Sequence, residues 1–436
     1  MNIAIFTLGC KVNQYETAAM ERELTTRGHR LVPFDGPADA YIINTCTVTA
    51  VSDKKSRNMI RRARRCAPLA VVAVCGCYSQ TAPDEVAALG ADLVSGSAGR
   101  LAFLDALEEK CREKSRGTCA PTVSVDKALA RRAFEPLAGG GMEGRTRAFL
   151  KVEDGCVNFC SYCIIPYARG PVRSLPMADA LAQARLLEGA GYREIVLTGI
   201  EISSWGHDLP GRPTLLELVE ALCAAVPALR IRLGSLEPRT ITEEFCRRAA
   251  ALPNLCPHFH LSLQSGCDDT LRRMNRKYDT ARFFTSVTLL RQSFPGCAIT
   301  TDLIAGFPGE TAGEFAQTLA FIRRCAFSAM HVFPYSRRSG TPAAVMPGQI
   351  PREEQERRVR AVMDAAEEMR GAYLAGLVGS VQSVLFEEVK GKLWQGHAPN
   401  YVPVRAQGEG LHNVLRQVRI ERAEGGVLYG AILPES

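Results

Sequence analysis

Three cysteines in one short stretch, Cys156-Val-Asn-Phe-Cys160-Ser-Tyr-Cys163, form the densest chemical signal in the chain. Thiolates are soft ligands, and three of them without a nearby fourth suit a four-iron cluster with one open iron better than a four-ligand zinc site. Structural zinc is the plainer alternative, although no histidine or cysteine stands at finger spacing. Cys10 in LGCKVNQYET, Cys46 in INTCTVT and Cys77 in VCGCYSQ are far apart in sequence, yet each follows a short apolar run. They could converge on one sheet edge and hold a second cluster. Cys75 competes with Cys77 but lies inside its apolar run. For the remaining cysteines among the 16 in the chain, a small buried hydrophobe is the simpler reading.

The elements needed to position these groups are legible. Runs at 2–8, 40–44, 69–75 and 91–94 alternate with helical patterns at 14–27, 53–66 and 83–89, which predicts a parallel, doubly wound sheet over residues 1–115. Such sheets bind ligands at the carboxyl ends of their strands, where the three dispersed cysteines fall. Residues 116–145, with Arg131-Arg132 and Gly139-Gly140-Gly141, lack an apolar period and read as a linker. From 146 to 372, strands near 148–152, 194–198, 230–234, 258–263, 298–304 and 329–333 alternate with helices, which predicts a full or partial α/β barrel. A long charged helix over 351–376 leaves it. Residues 373–436 carry short strand-like runs and predict a small all-β barrel.

Thr198, Ser235, Glu237, Gln264 and Asp302 follow or end barrel strands, where catalytic groups are built, though each could equally cap a helix or close a turn. Apolar residues make up 46% and charged residues 23%, which excludes disordered and fibrous classes. Without a leader or a membrane-length apolar run, the expected location is the cytoplasm, with no membrane partner. The 53 basic and 46 acidic residues leave a net charge of +7. The helix beginning beyond Cys46 concentrates Lys54, Lys55, Arg57, Arg61, Arg62, Arg64 and Arg65 against Asp53, a surface suited to a phosphate backbone. A second basic group is Arg272, Arg273, Arg276 and Lys277. Residues 373–436 hold six basic and six acidic residues, so RNA binding there needs a local patch, with Trp394 or Tyr401 as a stacking surface.

The CxxxCxxC run after a barrel's first strand resembles the radical S-adenosylmethionine (SAM) superfamily. Two three-cysteine sites in this order, followed by a small β domain, are similar to the methylthiotransferase family. The resemblance implies two 4Fe–4S clusters, one on Cys156, Cys160 and Cys163 and an auxiliary one on Cys10, Cys46 and Cys77. It also implies SAM as cofactor, an electron donor and a sulfur source. Tyr162 would lie near the adenine, although ordinary packing explains it too. Glu237 would bind SAM's polar groups, followed by Gln264 and Arg169. GCKVNQYET, CIIPYARG, LGSLEP, HFHLSLQSGCDDTLRRMNRKY and TDLIAGFPGET are most similar to the branch that modifies threonylcarbamoyladenosine at position 37 of tRNA. Leu175, Glu201 and Gly234 depart from the usual pattern. The C-terminal domain resembles a TRAM domain. Sister enzymes acting on isopentenyladenosine or a ribosomal-protein aspartate share all six cysteines. An iron–sulfur RNA-binding regulator is the alternative outside enzymology.

Overall fold

Continuously apolar strands must be covered on both faces, and the N-terminal sheet is. The computed structural model describes residues 1–137 and 144–434. Six parallel strands run in the order Arg30–Val32, Asn2–Thr7, Ala40–Thr45, Val71–Gly76, Leu93–Ser95 and Thr122–Ser124. The two central strands, Ala40–Thr45 and Val71–Gly76, are buried at every position. Met20, Leu24, Phe103 and Leu107 of helices Lys11–Thr26 and Arg100–Ser115 cover one face. Ile60, Ala63 and Val86 of helices Ala50–Cys66 and Pro83–Ala88 cover the other.

The stretch 116–145 is not a plain linker. It supplies the sixth strand of the sheet, Thr122–Ser124, and a 3-10 turn at Ala128–Ala130. Arg131 bonds Asp126, Ser97 and Gln80, tying the stretch to the first domain. Gly139–Gly141 lie outside the described residues.

The middle domain is a partial barrel of parallel strands in two consecutive runs. The first contains Arg147–Lys151, Glu194–Thr198 and Arg230–Arg232. The second contains Ser235–Leu236, His258–Gln264, Ala298–Ala305 and Ala329–Pro334. Outward residues such as Leu150, Ile195, Phe259 and Leu303 join one apolar core with the surrounding helices. Helix Arg352–Ala375 adds Val362, Ala365 and Met369 to that core. The opposite register points Lys151, Glu194, Arg232, His258, His260 and Asp302 into the lumen, a consequence of the two-residue strand period. The lumen is therefore polar and charged.

The last five strands, Val381–Lys390, Leu393–His397, Pro403–Ala406, Leu415–Glu424 and Val427–Ile432, close into a small barrel. It caps the amino-terminal mouth of the larger one. Arg230 donates to Ser383, Arg232 to the Pro399 carbonyl at 2.7 Å, and Arg147 pairs with Glu387 at 2.9 Å. Among the described residues, no helix is long and apolar enough to cross a membrane.

Candidate active site

The loop carrying Cys156, Cys160 and Cys163 starts at Gly155, whose φ of 98° and close approach to Pro171 leave no room for a Cβ. Its centre is held by Ser161, which donates from its amide to the Met274 carbonyl at 3.0 Å and from Oγ to the Arg273 carbonyl at 2.8 Å. Phe159 sits at φ 45°, a strained conformation of the kind that gathers at functional sites. The Asn158 amide donates to Cys156 Sγ at 3.4 Å, and Arg276 donates to Cys160 Sγ at 3.2 Å. Burial pushes the Cys156 and Cys163 thiols up to about 12, so metal binding there must expel protons. Arg276 also lies over the Tyr278 ring at 4.8 Å and makes no ion pair with a carboxylate among the described residues. A cation placed this way suits an anionic cluster. Arg276 is thus a neighbour of the cysteine loop rather than part of an exposed basic patch, and Arg273 is paired with Glu314 at 2.8 Å.

The polar groups expected at strand ends lie on or just beyond the barrel's parallel strands. Thr198 ends its strand, and Gly199 follows so closely on Glu153 that a Cβ would meet Glu153 Oε2 at 2.6 Å. The Glu201 amide donates to that same oxygen at 2.7 Å, while Glu153 Oε1 is buried without a partner. Burial, reinforced by the neighbouring Asp154 and Glu201, raises Glu153 well above the usual carboxyl range. A cation reaching Glu153 Oε1 would offset the burial that disfavours the ionised carboxylate and supply the missing partner. Ser235 Oγ lies 3.0 Å from Ser262 Oγ, and the Glu237 amide donates to Ser203 Oγ at 2.9 Å. Gln264 adopts φ 69° at a register shift in its strand. Tyr162 packs edge-on against Phe307, ring centres 6.5 Å apart. Asp302 lies inside its strand, facing His260 at 3.3 Å and His331 at 3.1 Å. Burial would raise its pKa, but these two histidines hold it well below the ordinary range.

Cys10, Cys46 and Cys77 follow three adjacent strands, and the parallel register brings their turns to one edge. Gly9, at φ 102°, permits an approach so close that a Cβ would meet Cys46 Sγ at 2.7 Å. Asn13 joins two of the turns, donating to the Leu8 carbonyl at 2.8 Å and the Thr45 carbonyl at 2.9 Å. Cys75 is wholly buried in its strand among core residues, away from that edge. Burial pushes the Cys77 thiol up to about 12.

Arg169 occupies a different place from the SAM-binding position expected of it. It is fully buried between the first two domains, donating to Cys77 Sγ at 3.1 Å and Asn13 Oδ1 at 2.6 Å. It also pairs with Glu16 and with Asp154 at 3.4 Å. Glu16 binds Arg100 at 2.8 Å and Lys151 at 3.1 Å, and Asp154 binds Lys151 and Arg173. Two carboxylates thus share four cations beside the cysteine edge, and the surplus positive charge favours an anionic occupant. Sequence reading missed the contacts of Arg169 and Arg276 with cysteine sulfur because nothing local marks an arginine whose partner lies far along the chain.

On the basic helix, Lys54, Lys55 and Arg61 are exposed. Arg57 bonds Tyr78 and Glu85, and Arg62 pairs with Asp35. Tyr401 is not a free platform, since it stacks on His258 and His397 at ring distances of 5.2 and 4.9 Å. Trp394 packs against the small barrel's core.

Two family models match the chain. Uncharacterized protein family UPF0004 covers residues 2–96, and the Radical SAM superfamily covers residues 150–322. A threonylcarbamoyladenosine tRNA methylthiotransferase from Bacillus subtilis strain 168 is 38% identical, covering 97% of this chain and 94% of its own. The chain belongs to the methylthiotransferase family. A second threonylcarbamoyladenosine enzyme, from Thermotoga maritima, is 36% identical over 88% of this chain and 86% of its own. A tRNA-2-methylthio-N(6)-dimethylallyladenosine synthase from Oleidesulfovibrio alaskensis is 35% identical over 99% of this chain and 94% of its own. The fold is similar to that of TsrM, a radical SAM methyltransferase from Kitasatospora setae, with TM-score 0.55, 16% identity, and coverage of 79% and 77% of the two chains. Of the three departures from the methylthiotransferase pattern, Leu175 is buried in the barrel core. Gly234 lies where the barrel's two strand runs meet, and Glu201 bonds Ser203 and Ser204 beside Glu153.

Proposed function

We infer that this protein is a radical SAM enzyme with two 4Fe–4S clusters that methylthiolates C2 of N6-threonylcarbamoyladenosine at position 37 of tRNA. The observation that carries this reading is the full-length relationship to the Bacillus subtilis enzyme, which spans both cysteine triads and the small β barrel. Cys156, Cys160 and Cys163 would hold the SAM-cleaving cluster, and Cys10, Cys46 and Cys77 the auxiliary one. When bound, these groups supply reductive SAM cleavage and a sulfur atom for transfer.

The chain's own residues do the positioning. Glu153 Oε1 and the Glu201 carboxylate offer acceptors to the SAM ammonium, with Thr198, Ser235, Glu237 and Gln264 at neighbouring strand ends. Tyr162 would stand by the adenine. Arg276 and Arg169 each present a guanidinium to one cysteine of a triad. The half-barrel, closed by the first domain along Glu16, Lys151 and Arg169, keeps bulk water from a radical. Exposed Lys54, Lys55 and Arg61, with the neighbouring Arg57 and Arg62, would meet the RNA backbone. An external electron donor and a sulfur source complete the set of partners.

The test is nucleoside mass spectrometry after anaerobic reaction of reconstituted protein with SAM, sulfide and a reductant. tRNA carrying the threonylcarbamoyl or the isopentenyl base would be supplied separately. A methylthio mass gain on the threonylcarbamoyl substrate alone is expected. A gain on the isopentenyl substrate alone would move the chain to the branch of the Oleidesulfovibrio relative.

A further inference from the structure

A cavity of about 600 Å³ lies where all three domains meet, at the amino-terminal side of the large barrel. Its wall combines Lys11 of the first domain, Arg147, Arg232 and His258 of the barrel, and Glu387 and Tyr401 of the small barrel. Most charges there are already matched. Arg232 is held by Glu194 through two bonds of 2.7 and 2.9 Å, and Glu387 is shared by Arg147 and His397. Four groups are left over, one of them the exposed Arg145 at the cavity rim. Lys11, exposed on the cavity wall, has no hydrogen-bond or ion-pair partner among the described residues, whereas Arg147 Nη1 and His258 Nδ1 are buried without one. Buried polar groups are rarely left unpaired, and cationic or donor groups left so around a cavity mark a site for an anion.

Lys11 also directly follows Cys10, so its side chain leaves the same turn that would hold the auxiliary cluster. It shares the cavity wall with Arg147, Arg232 and His258 of the barrel. A group seated against Lys11 is therefore held by the residue next in the chain to a cysteine of the dispersed triad. The substrate inferred above carries one anionic group on its base, the α-carboxylate of the threonyl substituent, whereas the isopentenyl base carries none. We propose that this three-domain cavity receives the threonyl end of the modified adenosine, and that Lys11 pairs with its carboxylate and sets the substrate branch. The proposal rests on the threonylcarbamoyl reading. A phosphate of the same RNA offers similar chemistry, and the test separates the two.

The experiment compares wild type, Lys11→Gln and Lys11→Arg, all reconstituted and matched for iron content. Each meets anticodon stem-loops bearing either threonylcarbamoyladenosine or its neutral methyl ester. Binding is read by fluorescence anisotropy and product by nucleoside mass spectrometry. Losing one charge-assisted contact should weaken binding of the acid substrate by roughly tenfold or more in Lys11→Gln. Wild type should discriminate against the ester by a similar factor, Lys11→Gln should not, and Lys11→Arg should retain most of the preference. Equal weakening of acid and ester by Lys11→Gln would assign Lys11 to a phosphate and overturn the proposal. Wild type that binds acid and ester alike but thiolates both would also overturn it. Failure of wild type to thiolate either substrate would instead strike the proposed function.

Discussion

The two cysteine triads are assembled by opposite routes. Cys156, Cys160 and Cys163 share one loop, fixed at its start by Gly155 and at its centre by Ser161. Cys10, Cys46 and Cys77 come from three turns, and their proximity depends on the order of three parallel strands. Each triad is approached by one arginine that donates to a cysteine sulfur. For the loop triad this is Arg276, from the same domain. For the dispersed triad it is Arg169, from the neighbouring domain, which also bonds Glu16, Asp154 and Asn13. The loop site is thus internal to the barrel, whereas the dispersed site is completed only when two domains dock.

Separate removal of a cysteine from each triad has the largest expected effect. Cys160→Ala should abolish formation of 5′-deoxyadenosine from SAM under reduction. Cys46→Ala should leave that cleavage intact and stop methylthio transfer, measured by mass spectrometry of the tRNA nucleosides. A Cys46→Ala protein that still makes product would remove the functional distinction between the triads.

Arg169→Met tests whether docking builds the dispersed site. Removing one member of a buried charge network breaks its bonds to Glu16, Asp154, Asn13 and Cys77 and should cost about 3–5 kcal/mol in stability. Iron content should fall towards half, with the loss confined to the auxiliary cluster, as read by iron analysis and electron paramagnetic resonance. Full iron content in this variant would show that the first domain assembles its site alone.

The smallest effect concerns protons. In iron-free protein the Cys156, Cys163 and Cys77 thiols are pushed up to about 12 by burial, from an ordinary value of 9.0. Above pH 9 the unfolded chain releases these protons while the folded one retains them. Stability of the iron-free protein should therefore fall as pH rises from 9 towards 12. Replacing Cys156 and Cys163 together should flatten this slope more than replacing Cys77. Urea unfolding across that range measures both, and equal slopes would erase the expected difference between the sites.

Much of the architecture was legible because long apolar runs and helical periods are local properties. Six barrel strands and the central strands of the first sheet fell where their patterns placed them. The elements that escaped were short or charged. Arg30–Val32 and Thr122–Ser124 are three-residue edge strands with too few residues to show a period. Helix Arg100–Ser115 is dominated by charged positions, and strand Leu393–His397 breaks its alternation with Gly396. Thr122–Ser124 became sheet rather than linker because its partner strand left an edge to pair.

What the sequence determined by itself was whatever lies within a few residues along the chain. Examples are the spacing of Cys156, Cys160 and Cys163, the apolar strands, and the basic face beyond Cys46. Only the tertiary structure decided that Arg169 serves the dispersed cysteines, that Arg276 faces Cys160, and that Tyr401 stacks within the barrel mouth on His258. These contacts link residues 92, 116 and 143 positions apart, read from Cys77 to Arg169, Cys160 to Arg276 and His258 to Tyr401. Local propensity carries no information over such separations. The burial of opposite charges and the packing of whole domains set them, and both exist only once the chain has folded.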